Sequence, residues 1–354
     1  MKALIGVFIP AYNAAAFLDT AITSVLNQTF QDFELIFLDD ASTDDTPLIA
    51  EKYKNHPKVT YIRNPINLGM SKNWNKGISL CENKYVAKLD ADDYYHPEFL
   101  DNAIDMLEEN QNVGMVFSGL NWVTHDGTRI TEMLPYTTSW IVEGNLFQAN
   151  LLRKFVVYGP TIVVKKECYE HLGSFLEEMR MHSDWEMWTR VASKYDIGYV
   201  NKILASALRH QNNITSKSRM DTHTTDDFTL WLRLLDEEEL PYQLDDNERV
   251  VLEAAMVRTV RSLLGNALSS GSHKTAEACA QFLVKRQVVP SYEKMRYQAT
   301  LELLQYKPQY ARLSLRGSRW TEKLWSLDRW LSIKIPAKDP YDALGLEFET
   351  TNSI

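Results

Sequence analysis

Tyr85-Val86-Ala87-Lys88-Leu89-Asp90-Ala91-Asp92-Asp93 is an apolar, strand-like run that ends in three carboxylates. Short apolar runs are what strands buried in a parallel sheet look like, and ligands of open α/β sheets bind just beyond the carboxyl ends of such strands. Carboxylates gathered there repel one another unless a cation lies between them, and a hard divalent metal with oxygen ligands is the usual solution. An acidic turn with no ligand is the alternative, and an isolated Asp-x-Asp does not separate the two.

Three further runs decide the context. Leu4-Ile5-Gly6-Val7-Phe8-Ile9 ends in Pro10-Ala11-Tyr12-Asn13. Phe33-Glu34-Leu35-Ile36-Phe37-Leu38 ends in Asp39-Asp40-Ala41-Ser42-Thr43-Asp44, and Val59-Thr60-Tyr61-Ile62 ends in Arg63-Asn64. Helical patterns lie between them, carried by Phe17, Ala21, Val25 and Leu26 and then by Ile49, Ala50 and Tyr53. Strands alternating with helices of about 10–15 residues predict an α/β fold with a parallel sheet. Each strand then delivers its polar end to the same rim, where a binding site explains four polar termini better than four unrelated turns.

The composition bounds the rest. The 354 residues suffice for one substantial α/β domain and a smaller second one. A hydrophobic content of 45% supports a large core, and no run of about 18 apolar residues reads as a membrane span. The first strand begins almost at the N-terminus, so no signal peptide is expected. Cys81, Cys168 and Cys279 are too few and too scattered for a disulfide framework or a zinc ribbon, so a cytoplasmic location is expected. The net charge of −9 argues against nucleic acid as a partner.

Ile9-Pro10-Ala11-Tyr12-Asn13, Ser24-Val25-Leu26-Asn27-Gln28-Thr29-Phe30, Asp39-Asp40-Ala41-Ser42-Thr43-Asp44 and Leu89-Asp90-Ala91-Asp92-Asp93 stand in an order and spacing that resemble the family 2 glycosyltransferases. The resemblance is strong over residues 4–120, thinner to about 216, and lapses beyond. It implies a GT-A fold, a Rossmann-like nucleotide-diphospho-sugar transferase domain, here with an α-helical C-terminal extension. It also implies an inverting transfer from a UDP-sugar donor with Mn²⁺ or Mg²⁺. On this resemblance Pro10, Ala11, Tyr12 and Asn13 contact the nucleotide, and Asp40 accepts the uracil ring N–H. Lys72 and Asn73, opening a helix after Gly69, form a third nucleotide-side element. A turn with Asn13 as helix cap, and a capped surface helix with solvated lysines, are the plainer readings of these segments. Trp74 and Ile78 fit core positions.

Within the acidic run the resemblance assigns Asp90 and Ala91 to the nucleotide, Asp90 on the ribose side, and Asp92 to the metal. Asp93 either supports the metal shell or faces the acceptor. In an extended segment residues 90 and 92 point the same way, so both face one ligand. His210, in Leu208-Arg209-His210-Gln211-Asn212-Asn213-Ile214-Thr215-Ser216, is the second metal-ligand candidate. An inverting enzyme also needs a base across the sugar from the diphosphate. Asp184, in Met181-His182-Ser183-Asp184-Trp185-Glu186-Met187-Trp188, resembles that catalytic residue. Ser183 and Glu186 make a capping-box pattern there, which predicts that Ser183 caps a helix and that the helix dipole keeps Asp184 ionised.

His125-Asp126-Gly127-Thr128 reads as a hairpin turn. Met133, Tyr136, Trp140 and Phe147 belong to an acceptor-side loop and helix over 131–158, with packing favoured over sugar stacking. The expected domains are 1–218 for catalysis and 219–354 as a helical region, with Asp236-Glu237-Glu238-Glu239 a solvated face. Over 312–334 the charge reverses: Arg312, Arg316, Arg319, Lys323, Arg329 and Lys334 face only Glu322 and Asp328. With Trp320, Trp325 and Trp330, this suits a helix lying on the inner face of an anionic membrane, although packing on its own domain is the commoner use of such a helix. The Gln-x-x-Arg-Trp signature of processive members is missing, so addition of a single sugar is expected.

The resulting expectation is a hexosyltransferase-type enzyme acting on a saccharide or lipid-linked saccharide in surface-glycan synthesis (lipopolysaccharide, O-antigen or capsule). A non-catalytic nucleotide-sugar-binding scaffold would keep the sheet and lose the base. A sugar nucleotidyltransferase would need a glycine-rich basic loop where Pro10-Ala11-Tyr12-Asn13 stands.

Overall fold

The computed structural model describes residues 2–153, 156–177, 179, 182–210, 257, 260–261, 263–269, 271–286 and 289–306. Residues 211–216, the acidic stretch 236–239 and the basic segment 312–334 lie outside the described residues. The chain divides into two compact units, the change falling after Lys217. The described part of the second unit is helical. Its helices His273–Lys285 and Ser291–Tyr306 pack on each other, with Ala276, Cys279, Ala280 and Leu283 buried. No described helix is long and apolar enough to cross a membrane.

The first unit opens as four strands alternating with helices: β1 (Ile5–Ala11), α1 (Leu18–Leu26), β2 (Phe33–Asp39), α2 (Thr46–Glu51), β3 (Val59–Arg63), α3 (Met70–Leu80) and β4 (Tyr85–Lys88). These strands lie parallel in the order β3-β2-β1-β4, as the alternation predicts. Every residue of β1 is buried, because helices cover both faces of the sheet. Ile5, Val7 and Ile9 pack on one side with Leu18, Ile22 and Leu100; Phe8, Ile36 and Val86 pack on the other with Phe117, Phe147 and Trp188. Pro10 sits inside β1 without a lost ladder bond. Its missing N–H would face β4, whose pairing with β1 ends at Phe8 and Lys88. α3 lies close on β1 because residue 77 is glycine: a Cβ there would come within 2.3 Å of the Phe8 ring.

The second half adds antiparallel strands to the parallel sheet expected from the first four runs. After β5 (Tyr94–Tyr95), α4 (Phe99–Glu109) and β6 (Val113–Val123) come β7 (Arg129–Met133), β8 (Trp140–Val142) and α5 (Gly144–Arg153). A 3-10 turn, Gly159–Thr161, leads into β9 (Ile162–Lys165), followed by α6 (Lys166–Leu172), α7 (Ser183–Ala192) and β10 (Asp196–Leu208). β9 runs antiparallel between β4 and β6, giving the order β3-β2-β1-β4-β9-β6-β10-β5. Its reversal matters for the site. Because β9 starts where β4 finishes, the Gly159–Thr161 turn is set on the carboxyl rim beside Asp90. β10 is parallel to β6 and brings its own carboxyl end, residues 208–210, to that rim.

Thr128 O accepts from the N–H of Thr124 and Gly127 adopts φ +81°, so residues 124–128 close the β6–β7 hairpin. Tyr136, Trp140 and Phe147 form an aromatic cluster with Phe117 and Tyr199, which makes them packing residues.

Candidate active site

The acidic loop is a turn, and this corrects the extended geometry expected for it. Asp93 N–H donates to Asp90 O at 3.0 Å, so Asp90 and Asp92 diverge to separate partners. Asp90 Oδ1 is 2.5 Å from Lys88 Nζ. Asp92 Oδ2 is 3.0 Å from His210 Nε2. Asp93 is buried and its Oδ1 accepts the N–H of Leu208 at 3.0 Å, tying the end of β10 to the acidic loop. Asp93 thus supports its neighbours and does not face an acceptor. Burial, reinforced by Asp90, pushes the Asp92 carboxyl above its usual range, while His210 opposes the shift. Burial pushes Asp93 up further, with Asp92 and Asp90 adding to it.

Asp92 and His210 are the two residues expected to hold a cation, and the fold brings them together. Ligands on adjacent corners of an octahedron with bonds of about 2.1 Å stand about 3.0 Å apart, so the observed pair fits Mg²⁺ or Mn²⁺. The His210 ring is stacked on Phe17 with centroids 4.7 Å apart, which holds its Nε2 toward Asp92. Among the described residues no group of three or more His, Cys, Asp or Glu side chains could hold a metal. Phosphate oxygens of a ligand would have to complete the shell, a usual arrangement for Mg²⁺.

At the far end of the rim Asp40 is the centre of a buried network. Its Oδ1 accepts from Asn64 Nδ2 at 2.7 Å and Leu68 N at 2.8 Å, and its Oδ2 from Gly69 N at 2.9 Å. One acceptor direction on Oδ2 is left for a ligand N–H. Asn64 also donates to Asn73 Oδ1 at 2.9 Å and accepts from Lys76 Nζ at 2.6 Å. Asn73 is therefore a buried strut of this network. Lys72 lies exposed at the surface, 3.8 Å from Glu177. Asn13, at φ +53°, takes no helix-capping role: its Oδ1 accepts from Thr43 N at 2.8 Å, and its own N–H donates to Ser42 Oγ at 2.9 Å. Together they clamp the loop after β1 to the loop after β2. That leaves Ala11 buried at the strand end and Tyr12 projecting, 52% exposed. Asp39 is fully buried and bonded to Ser42 N and Tyr61 Oη, a structural role.

Asp184 sits in the first turn of α7, half-buried, and feels the charges of Lys88 and Asp90 across the rim. The capping box does not form. His182 is the N-cap residue and its side chain does not cap the helix, Ser183 Oγ finds no partner among the described residues, and Glu186 turns to Arg190 at 2.6 Å. A guanidinium is the stronger partner for a carboxylate, and it draws Glu186 away from the helix start. Nor does the helix terminus dominate the ionisation of Asp184. Burial raises its carboxyl above the usual range, against the Trp185 N–H and the charges of His182 and Lys88.

Several participants were not visible in the sequence. Lys88, Asn64 and Lys76 reach the rim from strand and helix positions, and Gly159 is placed there only by the reversal of β9. Gln28, in one of the four quoted motifs, is a buried clamp: its Nε2 donates to His96 O at 2.7 Å and its Oε1 accepts from Leu100 N at 2.9 Å.

With that geometry in view, comparison with known proteins points to one family. The model of glycosyl transferase family 2 matches residues 6–173. Over those residues the chain is similar to glycosyl transferase family 2. The chain is 26% identical over 226 residues to a chondroitin synthase of Escherichia coli, covering 64% of the chain and 32% of that protein. It is 27% identical over 219 residues to an uncharacterized glycosyltransferase of Haemophilus influenzae, covering 60% of the chain and 68% of that protein. The chain thus spans about a third of the first of these relatives and about two thirds of the second. The fold matches S. aureus TarS 1–349 in complex with UDP-GlcNAc, with TM-score 0.67 at 20% identity over 91% of this chain and 92% of that one. The architecture is accordingly that of GT-A glycosyltransferases.

Proposed function

We propose that this chain transfers a single sugar, with inversion, from a UDP-sugar to a saccharide or lipid-linked saccharide acceptor. The observation that carries the reading is the pairing of Asp92 with His210 at the carboxyl rim, between the Asp40 network and Asp184. Asp40, with one acceptor direction left, suits a uracil N–H, and Ala11 and Tyr12 flank the strand end that a base would approach. Asp92 and His210 would hold Mn²⁺ or Mg²⁺, which when bound neutralises charge developing on the leaving diphosphate. Asp184 takes the proton of the acceptor hydroxyl as that oxygen bonds to the anomeric carbon and the bond from carbon to diphosphate oxygen breaks. Its raised pKa moves it toward the basicity a general base needs. A relative named chondroitin synthase and a TarS complex with UDP-GlcNAc support a glycan acceptor and a UDP-linked donor.

The test is UDP binding followed by turnover. Asp92→Ala is expected to lose metal-dependent UDP binding, and Asp184→Ala to keep binding while losing transfer. Transfer at the wild-type rate by Asp184→Ala removes that residue as the base.

A further inference from the structure

α3 has two polar faces. Asn73 and Lys76 turn one of them to the Asp40 network through Asn64. Ser71 and Asn75, four residues apart and so on a shared face, reach the connection between α6 and α7. That connection leads straight into Ser183 and Asp184. Asn75 Nδ2 donates to Phe175 O at 2.8 Å, and Asn75 Oδ1 accepts from Phe175 N at 2.9 Å. An amide side chain that meets both polar groups of one backbone residue holds it as a neighbouring strand would. Ser71 Oγ donates to Met179 O at 3.0 Å, further toward Asp184.

α7 grips the same connection from its other end. Arg190 Nη1 donates to Leu172 O at 2.5 Å and Nη2 to Ser174 O at 2.8 Å, while Nε donates to Glu186 at 2.6 Å. The Glu186–Arg190 pair that displaces the capping box thus aims the guanidinium at these carbonyls. The Phe175 ring completes the link. It stands edge-to-face with Trp74 of α3 at 5.2 Å and with Trp188 of α7 at 5.6 Å.

The connection is therefore a bracket between two helices, one serving the Asp40 network and the other carrying Asp184. Proton transfer during an in-line attack tolerates little error in where the base stands, and a misplacement of about 1 Å can cost about 10²-fold in rate. We propose that Asn75 is a positioning residue for Asp184, acting with Ser71 through the α6–α7 connection to set the base against the nucleotide side of the rim. The inference rests on the UDP-sugar reading above, with Asp184 as the base.

Wild type, Asn75→Ala, Ser71→Ala and Asn64→Ala would be compared in Mn²⁺ by UDP release from UDP-glucose, UDP-galactose, UDP-N-acetylglucosamine and UDP-glucuronate. UDP calorimetry and melting temperatures accompany the rates. Asn75→Ala is expected to lower kcat about tenfold or more with UDP affinity unchanged. Asn64→Ala, on the other face of the network, is expected to weaken UDP binding. A second comparison asks whether the loss runs through Asp184. Added to Asp184→Asn, Asn75→Ala is expected to cost little further, because residues that act as a unit are not additive. Should Asn75→Ala melt early, Ser71→Ala carries both comparisons, because it deletes one bond and leaves the Asn75 pair in place. Wild-type kcat in the folded variants, equal losses of kcat and UDP affinity, or the full loss repeated on top of Asp184→Asn overturns the positioning role and leaves the UDP-sugar reading intact. Absence of UDP release by the wild type from all four donors overturns that reading and the positioning role with it.

Discussion

His210 Nε2 stands 3.0 Å from Asp92 Oδ2, although 118 residues separate the two in the chain. The contact exists because β10 runs parallel to β6 and ends at the same rim as β4, where Asp93 holds the Leu208 N–H. If the pair holds a divalent cation, His210→Ala lowers metal affinity at least about tenfold, the scale seen even for groups one shell further out. Titrating Mn²⁺ in the presence of UDP measures it. Equal metal dependence in the variant and the wild type contradicts the assignment.

Asp93 anchors β10 through a single accepted bond. Asp93→Ala leaves the buried Leu208 N–H without that acceptor, a cost of about 1–3 kcal/mol. Asn keeps an acceptor oxygen and is expected to retain most of the stability. Chemical denaturation of the two variants checks the difference, with Asp93→Ala showing the larger loss.

Asp184 gives the activity a definite pH dependence. A general base works ionised, and burial raises this carboxyl above the ordinary aspartate value of about 3.9. Activity is therefore expected to fall as pH drops through that raised value, with the acid limb lying above the range of an ordinary aspartate. Asp184→Asn is expected to lose about 10²–10⁴-fold in turnover and to lose this limb, with UDP affinity retained. A pH profile of turnover for both proteins is the measurement.

Gly77 sets the distance of α3 from β1, and α3 carries Asn73 and Lys76 into the Asp40 network. Gly77→Ala drives a methyl into the Phe8 ring and is expected to cost about 1–3 kcal/mol by overpacking. Asn64→Ala, by contrast, leaves α3 seated and removes the link between Asp40, Asn73 and Lys76. It is expected to weaken UDP binding more than it lowers the melting temperature. Melting curves beside UDP calorimetry separate the two effects.

The part of this architecture legible in the sequence is the part written locally. Each of β1 to β4 carries its own apolar run and polar end, and the hairpin at 124–128 carries its own turn residues. The antiparallel insertion of β9 was not legible, because Ile162-Val163-Val164-Lys165 reads the same in either direction and its partners are far along the chain. Lys88 carries no local signal of its role, because its ammonium meets Asp90 and Trp74 only in the folded chain. The Asp40 network draws on three separate segments, so no single motif announces it. The capping box at Ser183 failed because the same Glu186 that completes the pattern has Arg190 one turn later. Pattern reading assigns a residue to one partner, and the folded chain offers it others.

The central claim is metal-dependent transfer chemistry on a UDP-sugar at the Asp92–His210 rim. Its most direct test is UDP release from a panel of UDP-sugars, with Mn²⁺ or with EDTA, by wild type and by Asp92→Ala. The account predicts release from at least one donor that requires the metal and is lost in Asp92→Ala. Release that is equal in EDTA, equal in Asp92→Ala, or no greater than in buffer for every donor would contradict it.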